Sequence, residues 1–477
     1  MHTSRYAFFF LSMIVASGAL AGCGSEVEEP QPLGAPGEAL WARRFGRAST
    51  SEPAGLAVDA AGNVVVAGRY YGDEDFGGGS LPSPANNYQT FVAKYDTNGK
   101  HVYSRSFGDF MADGATDVAL LPDGSAIVVG AFGGSIDFDT GALANAGFGD
   151  VFVAKLGPGG ETAWAKRFGG GGDEIPAAVA VLPDGGVVIT GNARGDYDIA
   201  GVGPVPEQAN DVIFALRLDS GGDPVWARVF PGTYPAAMDV AARSDGGAVV
   251  VGRFYQDLTV SASKTLKTYE YSTDAFVLAL DGKGEHLWSH AYGGEDYYTD
   301  EAASVAVDPA GGVLVTGTVS GGRDFGGGLL QGQGEPYEGT TFLVELDAAG
   351  AHVHSRLFGG TGDDRADAVA IDAAGDVILA GGMFGAFELG GEVKASVGGE
   401  DAFVAKVRRG GEPVFLETWA SEESQTGATN GVHAYRVATD GARAVYVLGA
   451  GMGTVDFGVG VAPGSGFYDQ FLLKLAP

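Results

Sequence analysis

The residues of this sequence best placed to do chemistry are groups of carboxylates and pairs of aromatic side chains. The carboxylates cluster as Asp73, Glu74 and Asp75; Asp173 and Glu174; Glu295, Asp296, Asp300 and Glu301; and Asp363, Asp364 and Asp367. Oxygen ligands at this density suit a divalent cation, calcium first, or the capture of a basic partner. The alternating ligands and closing Glu of an EF-hand are absent, so no calcium loop is read and no cofactor is assigned. A solvated face on an acidic exported protein is the simpler account. Tyr70 and Tyr71, Phe254 and Tyr255, and Tyr297 and Tyr298 lie among the same stretches. Such pairs offer platforms for sugar rings, although burial between loop and strand is their commoner fate.

Signals for catalysis are weaker. His352 and His354 share a strand face, but His354 stands where other copies of a repeat carry Trp, and no third ligand is evident. Gly449-Ala450-Gly451 follows a strand but opens no helix, which fails the dinucleotide fingerprint. There is no Gly-x-Ser-x-Gly, and Arg194-Gly195-Asp196 is what chance produces among 81 glycines. Carboxylate pairs abound without the context that would make them a glycosidase. A non-enzymatic protein is expected. The alternatives are a hydrolase or lyase acting on glycans and, because Gly221-Gly222-Asp223-Pro224-Val225-Trp226 is similar to the repeats of outer-membrane assembly lipoproteins, a protein of that kind.

Charge narrows the partners. Over 477 residues, 29 Lys+Arg oppose 60 Asp+Glu, a net charge of −31. A field of that sign repels phosphate backbones, so nucleic acid is excluded. The 81 glycines, without a Gly-X-Y period, disfavour long helices and point to an all-β, turn-rich chain. A monomer is expected.

The single cysteine, Cys23, cannot close an internal disulfide. Arg5 precedes an apolar run, Ala7 to Ala19, that is shorter than the ~20 residues of a membrane span and reads as a signal peptide over residues 1–22. Leu20-Ala21-Gly22-Cys23 resembles the bacterial lipobox, which implies diacylglyceryl transfer to the Cys23 thiol. Residues 23–38, with Glu26, Glu28, Glu29 and three prolines, read as an acidic tether. With Gly24 after the cysteine, the inner-membrane retention Asp is missing, so a lipid-anchored protein of the outer membrane, on its periplasmic or surface face, is expected.

What positions the candidate residues is a repeat. A valine-rich run ends in Gly68, Gly130, Gly191, Gly252, Gly317, Gly381 and Gly449, at intervals of 61 to 68 residues. A second run opens at Phe91, Phe152, Phe214, Phe276, Phe342, Phe403 and Phe471, and in six copies an aromatic or His follows 12 residues later. Each copy reads as four strands, A to D, joined at A–B and C–D by Asp/Gly turns such as Asp96-Thr97-Asn98-Gly99. An alanine on strand A, from Ala57 to Ala438, lies 11 residues before every marker glycine, and small residues are expected where innermost strands converge. The last copy lacks strand D, while Trp41-Ala42-Arg43-Arg44-Phe45-Gly46 is a strand D without its copy. An all-β, seven-bladed β-propeller over residues 39–477, four strands per blade and closed by the N-terminal strand, is therefore expected.

Asp150-Val151-Phe152-Val153-Ala154-Lys155-Leu156, Asp401-Ala402-Phe403-Val404-Ala405-Lys406-Val407 and Phe358-Gly359-Gly360 resemble the bacterial SBBP β-propeller repeat. The resemblance implies a propeller in a secreted or cell-surface protein and carries no defined reaction. Its Asp is lost at Gln89 and Thr340 and its Lys at Arg217, Ala279 and Glu345, so these positions read as structural. The short A–B and C–D turns share one face. The long, variable B–C and D–A connections share the other, which carries the acidic clusters and is the expected surface for a protein or glycan. One outcome tests the anchor: Cys23→Ser removes the acyl acceptor, and the variant is expected in the aqueous phase of a detergent partition that retains the parent chain.

Overall fold

Valine, isoleucine and phenylalanine alternate with glycine-rich turns throughout the repeats, and β-strand is the only regular structure formed among the described residues. The chain falls into two parts, Met1–Leu33 and Gly34–Pro477. The computed structural model describes residues 34–46, 51–83, 87–109, 113–203, 211–269, 271–294, 298–332, 334–335, 337–421, 431–462, 464 and 468–477.

The sheets follow the repeat. In the first copy, strands Ser51–Val58, Val64–Tyr71, Tyr88–Tyr95 and His101–Phe107 pair antiparallel in chain order, A to D. The second, fifth and sixth copies repeat this four-stranded sheet. The third and fourth are fused, because strand D of one runs on as strand A of the next in Pro224–Ala242, giving one eight-stranded sheet. The remaining sheet joins Val432–Thr439, Val445–Gly451 and Asp469–Leu475 to Ala39–Phe45 at the other end of the chain, with Arg44 opposite Phe471. Successive A strands pack side by side, and the last contacts the first.

A central cavity of about 160 Å³ takes lining residues from all seven A strands, among them Leu56, Val118, Val179, Asp239, Ser304, Val369 and Arg436. The marker alanines do not line it. Ala57, Ala119, Ala180, Ala241 and Ala306 pack into the sheet cores, and positions one to three residues earlier face the cavity. The reason is a β-bulge in every A strand, which places two residues opposite one at Ala54, Thr116, Ala177, Met238, Ala303, Asp367 and Tyr435.

The B–C connections are more than loops. Most carry a short hairpin of their own, such as Ser135–Asp137 with Ala142–Ala144, or Ala386–Leu389 with Glu392–Ala395. Each folds an apolar residue inward. Phe76 stacks on Phe91 at 4.2 Å and meets Phe45, from the preceding sheet, at 5.7 Å. Phe138 likewise sits between Phe152 (5.1 Å) and Phe107 (4.5 Å), and Phe325 between Phe342 (5.0 Å) and Tyr292 (5.2 Å).

Gly37 and Glu38 meet Ala476 where other copies have their C–D turn. Gly99 N–H donates to Asp96 O at 2.8 Å and Asp96 N–H to Lys100 O at 2.8 Å; Gly37 N–H donates to Ala476 O at 3.2 Å and Ala476 N–H to Glu38 O at 2.8 Å. Gly37 holds φ +83°, which favours glycine, and a Cβ there would stand 3.0 Å from the Phe415 ring. Phe45 is 5% exposed and Leu40 38%. Phe45→Ala is therefore expected to cost about 3–5 kcal/mol in urea unfolding, and Leu40→Ala less than about 0.5 kcal/mol.

Candidate functional site

The B–C and D–A connections share one end of the sheets, and the candidate residues there divide into groups that face solvent and groups that hold the backbone. Cys23, Glu295, Asp296 and Tyr297 lie outside the described residues. Tyr70 and Phe254 are each 0% exposed, which removes them as binding platforms. The Tyr70 hydroxyl is spent inside, 2.7 Å from Ser106 Oγ and 3.1 Å from Pro82 O. Tyr71 is half-exposed beside Tyr88 at 5.7 Å, Tyr255 is half-buried beside Tyr234 at 6.4 Å, and Tyr298 is exposed.

Most of the carboxylates are braces. Asp73 is exposed, but Asp75 accepts Gly77 N–H at 2.7 Å and Gly79 N–H at 3.0 Å, shaping its own hairpin. Asp300 is buried, accepting from Arg323 Nε at 2.8 Å and Ser320 N–H at 3.0 Å. Glu301 pairs with Arg253 at 2.6 Å. Asp363 accepts Gly339 N–H at 2.8 Å, and buried Asp364 accepts Gly360 N–H at 2.9 Å. Asp113, Glu174 and Asp364 occupy one position at the start of strand A, and burial pushes each up to about 7. Among the described residues, no group of three or more His, Cys, Asp or Glu is arranged to hold a metal ion.

Two clusters were not assembled from the sequence, although Asp367 of the first was among its acidic candidates. In the first, bulge residue Asp367 and Glu400 from the sixth copy clamp His433 of the seventh: Nε2 bonds the Asp367 carboxylate, and Nδ1 lies 2.8 Å from Glu400 Oε1. Tyr435 covers the imidazole at 4.6 Å, and Arg365 stands 3.8 Å from Glu400. Gly382 makes the space, since a Cβ there would lie 2.5 Å from His433 Nδ1. Burial disfavours the charge on His433, but its bonds to the two carboxylates outweigh this and raise it to about 9. In an isolated sequence His433 is marked only by standing five residues before Ala438, where other copies carry Glu52, Glu301 or Arg365.

The second cluster surrounds the central cavity. Asp117 accepts Val179 N–H at 2.9 Å; Asp239 accepts Val305 N–H at 2.9 Å and Ser304 Oγ–H at 2.8 Å; Ser304 Oγ accepts Val369 N–H at 3.2 Å. Each bond crosses from one A strand to the next. Burial pushes Asp117 up to about 7 against the pull of Arg436.

Neither cluster reads as a catalytic device. His433 is 4% exposed with both ring nitrogens engaged, so it has no free nitrogen to move a proton to or from a substrate. His352 bonds Ser355 Oγ at 3.0 Å within its own strand. Two cavities open on this face among the described residues. One, of about 550 Å³, lies at the axial mouth over Glu52, Arg69, Ile175, Tyr435 and Arg436; the other, of about 450 Å³, lies between the fifth and sixth copies.

No protein-family model and no curated protein matches the chain. Among solved structures it is similar to Sqt1 from Chaetomium thermophilum, at 12% identity over 89% of this chain and 84% of that one, with a TM-score of 0.41. It is also similar to the Neurospora crassa Pan2 WD40 domain, at 8% identity over 92% and 98%, TM-score 0.43. A third similarity is to Pyrococcus horikoshii acylaminoacyl peptidase, at 10% identity, where it spans about half of the other chain (87% and 52%, TM-score 0.40). The class of protein follows from the sheets and the cavity they surround: a β-propeller.

The raised groups fix a pH dependence. Asp113, Asp117, Glu174 and Asp364 at about 7, and Asp401 at about 6, bind protons more tightly folded than unfolded, so their contribution is full below about pH 4 and lost as pH rises towards 7. The contribution of His433 is full below 6.5 and lost as pH rises through about 9. The urea midpoint is expected to fall steadily from pH 5 to pH 9, and His433→Gln is expected to flatten the limb above pH 7.

Proposed function

We propose that this protein is a lipid-anchored component of the bacterial cell envelope, in which a closed seven-bladed propeller of SBBP-type repeats presents its B–C/D–A face as a non-catalytic binding surface. Closure is supported by the pairing of Ala39–Phe45 with Asp469–Leu475 and by the contact of the first and last A strands. The seven-blade count rests on the seven A strands that line one cavity. The SBBP assignment is supported by the work its Asp and Lys do: Asp150 accepts Ala146 N–H at 2.8 Å, Asp401 accepts Val397 N–H at 2.9 Å, and Lys406 pairs with Asp372 at 2.8 Å.

The observation that carries the binding surface is the place where the chain enters the sheets. Gly37 and Glu38 complete a C–D turn with Ala476, so the tether leaves from the turn face. A lipid on Cys23 is then joined to the sheets at the turn face, which leaves the B–C/D–A face clear of that attachment. The turn face is uniform in structure: Asp59, Asp96 and Asp347 each close a turn on the two backbone N–H groups two and four residues on. The opposite face holds the cavities of about 550 Å³ and 450 Å³, while one of about 420 Å³ runs along the seam of the first and last sheets and reaches the turn at Gly99 and Lys100. A hydrolase or lyase would need uncommitted acids converging at the axial mouth, whereas Asp367 and Glu400 there are bound to His433.

Capture from envelope extract tests the reading, with the detergent-purified full chain as bait. Substituting exposed loop-face acids together (Asp73→Asn, Asp173→Asn, Asp196→Asn and Glu335→Gln) is expected to weaken a captured partner and its salt dependence. Substituting Lys100→Ala, Glu161→Gln, Lys283→Ala and Glu412→Gln on the turn face is expected to leave capture intact. The reverse pattern overturns the choice of face.

A further inference from the structure

Between the fifth and sixth copies, the loop face opens into the cleft of about 450 Å³, within the size range of small-ligand sites. Three rings reach it from three different connections: Tyr298, Tyr337 and Phe384, 37%, 60% and 41% exposed. Large apolar rings gathered at one place in water are the usual mark of a contact surface, and most phenylalanines of this chain are buried instead. The polar residues beside them are Asp363, Arg365, Thr299, Thr318 and Ser320.

The cleft is built in advance of any ligand. Asp363 alone ties two of its walls, accepting Gly339 N–H at 2.8 Å through its carboxylate and Phe384 N–H at 3.0 Å through its carbonyl. Asp300, locked to Arg323, holds Ser320 N–H at 3.0 Å. Arg365 is half-exposed, and its nearest carboxylate, Glu400 at 3.8 Å, is already bonded to His433 at 2.8 Å. The guanidinium is thus anchored loosely and keeps donors to offer.

We propose that this cleft binds a neutral pyranose glycan, with sugar rings laid on Tyr298, Tyr337 and Phe384 and hydroxyls bonded to Asp363 and Arg365. The inference rests on the loop-face reading above and supplies its ligand class. A pyranose presents a face of C–H groups carrying slight positive charge, which suits the negative face of an aromatic ring. Its adjacent hydroxyls both donate and accept, which matches a carboxylate and a guanidinium side by side through charge-assisted hydrogen bonds. The net charge of −31 disfavours a polyanionic glycan. An added peptide strand needs free backbone groups, and Gly339, Ser320 and Phe384 N–H all donate inward.

Calorimetric titration of the detergent-purified full chain with maltohexaose, cellohexaose, chitohexaose and mannohexaose tests the proposal, with hexagalacturonate as the acidic comparison. At least one neutral hexasaccharide is expected to bind saturably. Tyr337→Ala and Phe384→Ala are each expected to weaken it about ten-fold or more, with unchanged melting because both side chains stand in solvent. Tyr234→Ala, an exposed ring elsewhere on the same face, is expected to leave binding unchanged. Absence of binding to every neutral hexasaccharide at millimolar concentration, tighter binding of hexagalacturonate, or indifference to Tyr337→Ala and Phe384→Ala overturns the proposal. If the loop-face acid substitutions still abolish capture of an envelope partner while no glycan binds, the glycan inference alone falls. If capture depends on the turn face while glycan binding responds to Tyr337, the loop-face reading falls and the cleft stands.

Discussion

Neighbouring sheets are joined by an aromatic side chain laid against a glycine, and the arrangement of everything else depends on that seam. An added Cβ on Gly99 would stand 2.9 Å from the Trp41 ring, one on Gly284 2.8 Å from Trp226, and one on Gly350 2.5 Å from Trp288. Each indole also donates Nε1–H to the same turn, to Thr97 O at 3.1 Å, Gly282 O at 3.0 Å and Ala348 O at 3.2 Å. No side chain other than hydrogen fits under the ring, so the glycine sets how closely two sheets approach. With one cysteine in the chain no internal disulfide can do this work. At the opposite end of the seam the inward-folded B–C aromatics bridge the same pairs of sheets, as Phe457 does between Phe471 at 4.9 Å and Trp419 at 6.1 Å. The two contacts fix the tilt of each sheet, and with it where every loop emerges.

The strands were legible because apolar alternation and Asp/Gly turns recur with nearly constant spacing, and the strand before Gly46 was legible because the last copy lacked its own. The B–C hairpins were not, although a signal existed. Phe76, Phe138, Ile199, Val260, Phe325 and Phe457 each lie eight residues after a marker glycine, and connections that fold an apolar residue inward need not be loops. The fusion of the third and fourth sheets was hidden for the opposite reason. Pro231, Gly232 and Pro235 read as breakers, yet strand pairing continues through them, with shifts of register and Tyr234 at φ +45°. The alanines misled about the axis because a bulge shifts which residues face inward, and a bulge leaves no mark in composition.

The candidate site shows the limit of reading charge without contacts. A run such as Asp363 and Asp364 looks like a solvated or metal-binding face, but these carboxylates accept backbone N–H groups at the bends where strands start. A carboxylate does this well because it accepts several bonds at once, and burial then exacts a cost on its charge. Asp113 and Asp364 each keep one oxygen bonded to backbone and one without a partner among the described residues. Burial accordingly pushes both up to about 7. His433 shows the converse, where two carboxylates from a neighbouring copy make a buried imidazole cationic.

These pairings change the electrostatic character of the loop face from the one its composition suggests. At the axial end Arg69 meets Glu52, Arg253 meets Glu301, and Arg365 stands beside a Glu400 already committed to His433. Arg436 enters the central cavity with Asp117 and Asp239. Arginines are scarce in a chain with 29 Lys+Arg against 60 Asp+Glu, yet these gather around one mouth. The paired Arg69 and Arg253 side chains remain 45% and 43% exposed, and pairs that wet contribute little to stability. Their effect is on the field: the centre of the face is close to neutral, and the unpaired acids, Asp73, Asp173 and Asp196 among them, lie in the outer connections. The cleft at Tyr337 is therefore lined by aromatic rings, one carboxylate and one guanidinium rather than by the wall of negative charge that the amino-acid count implies.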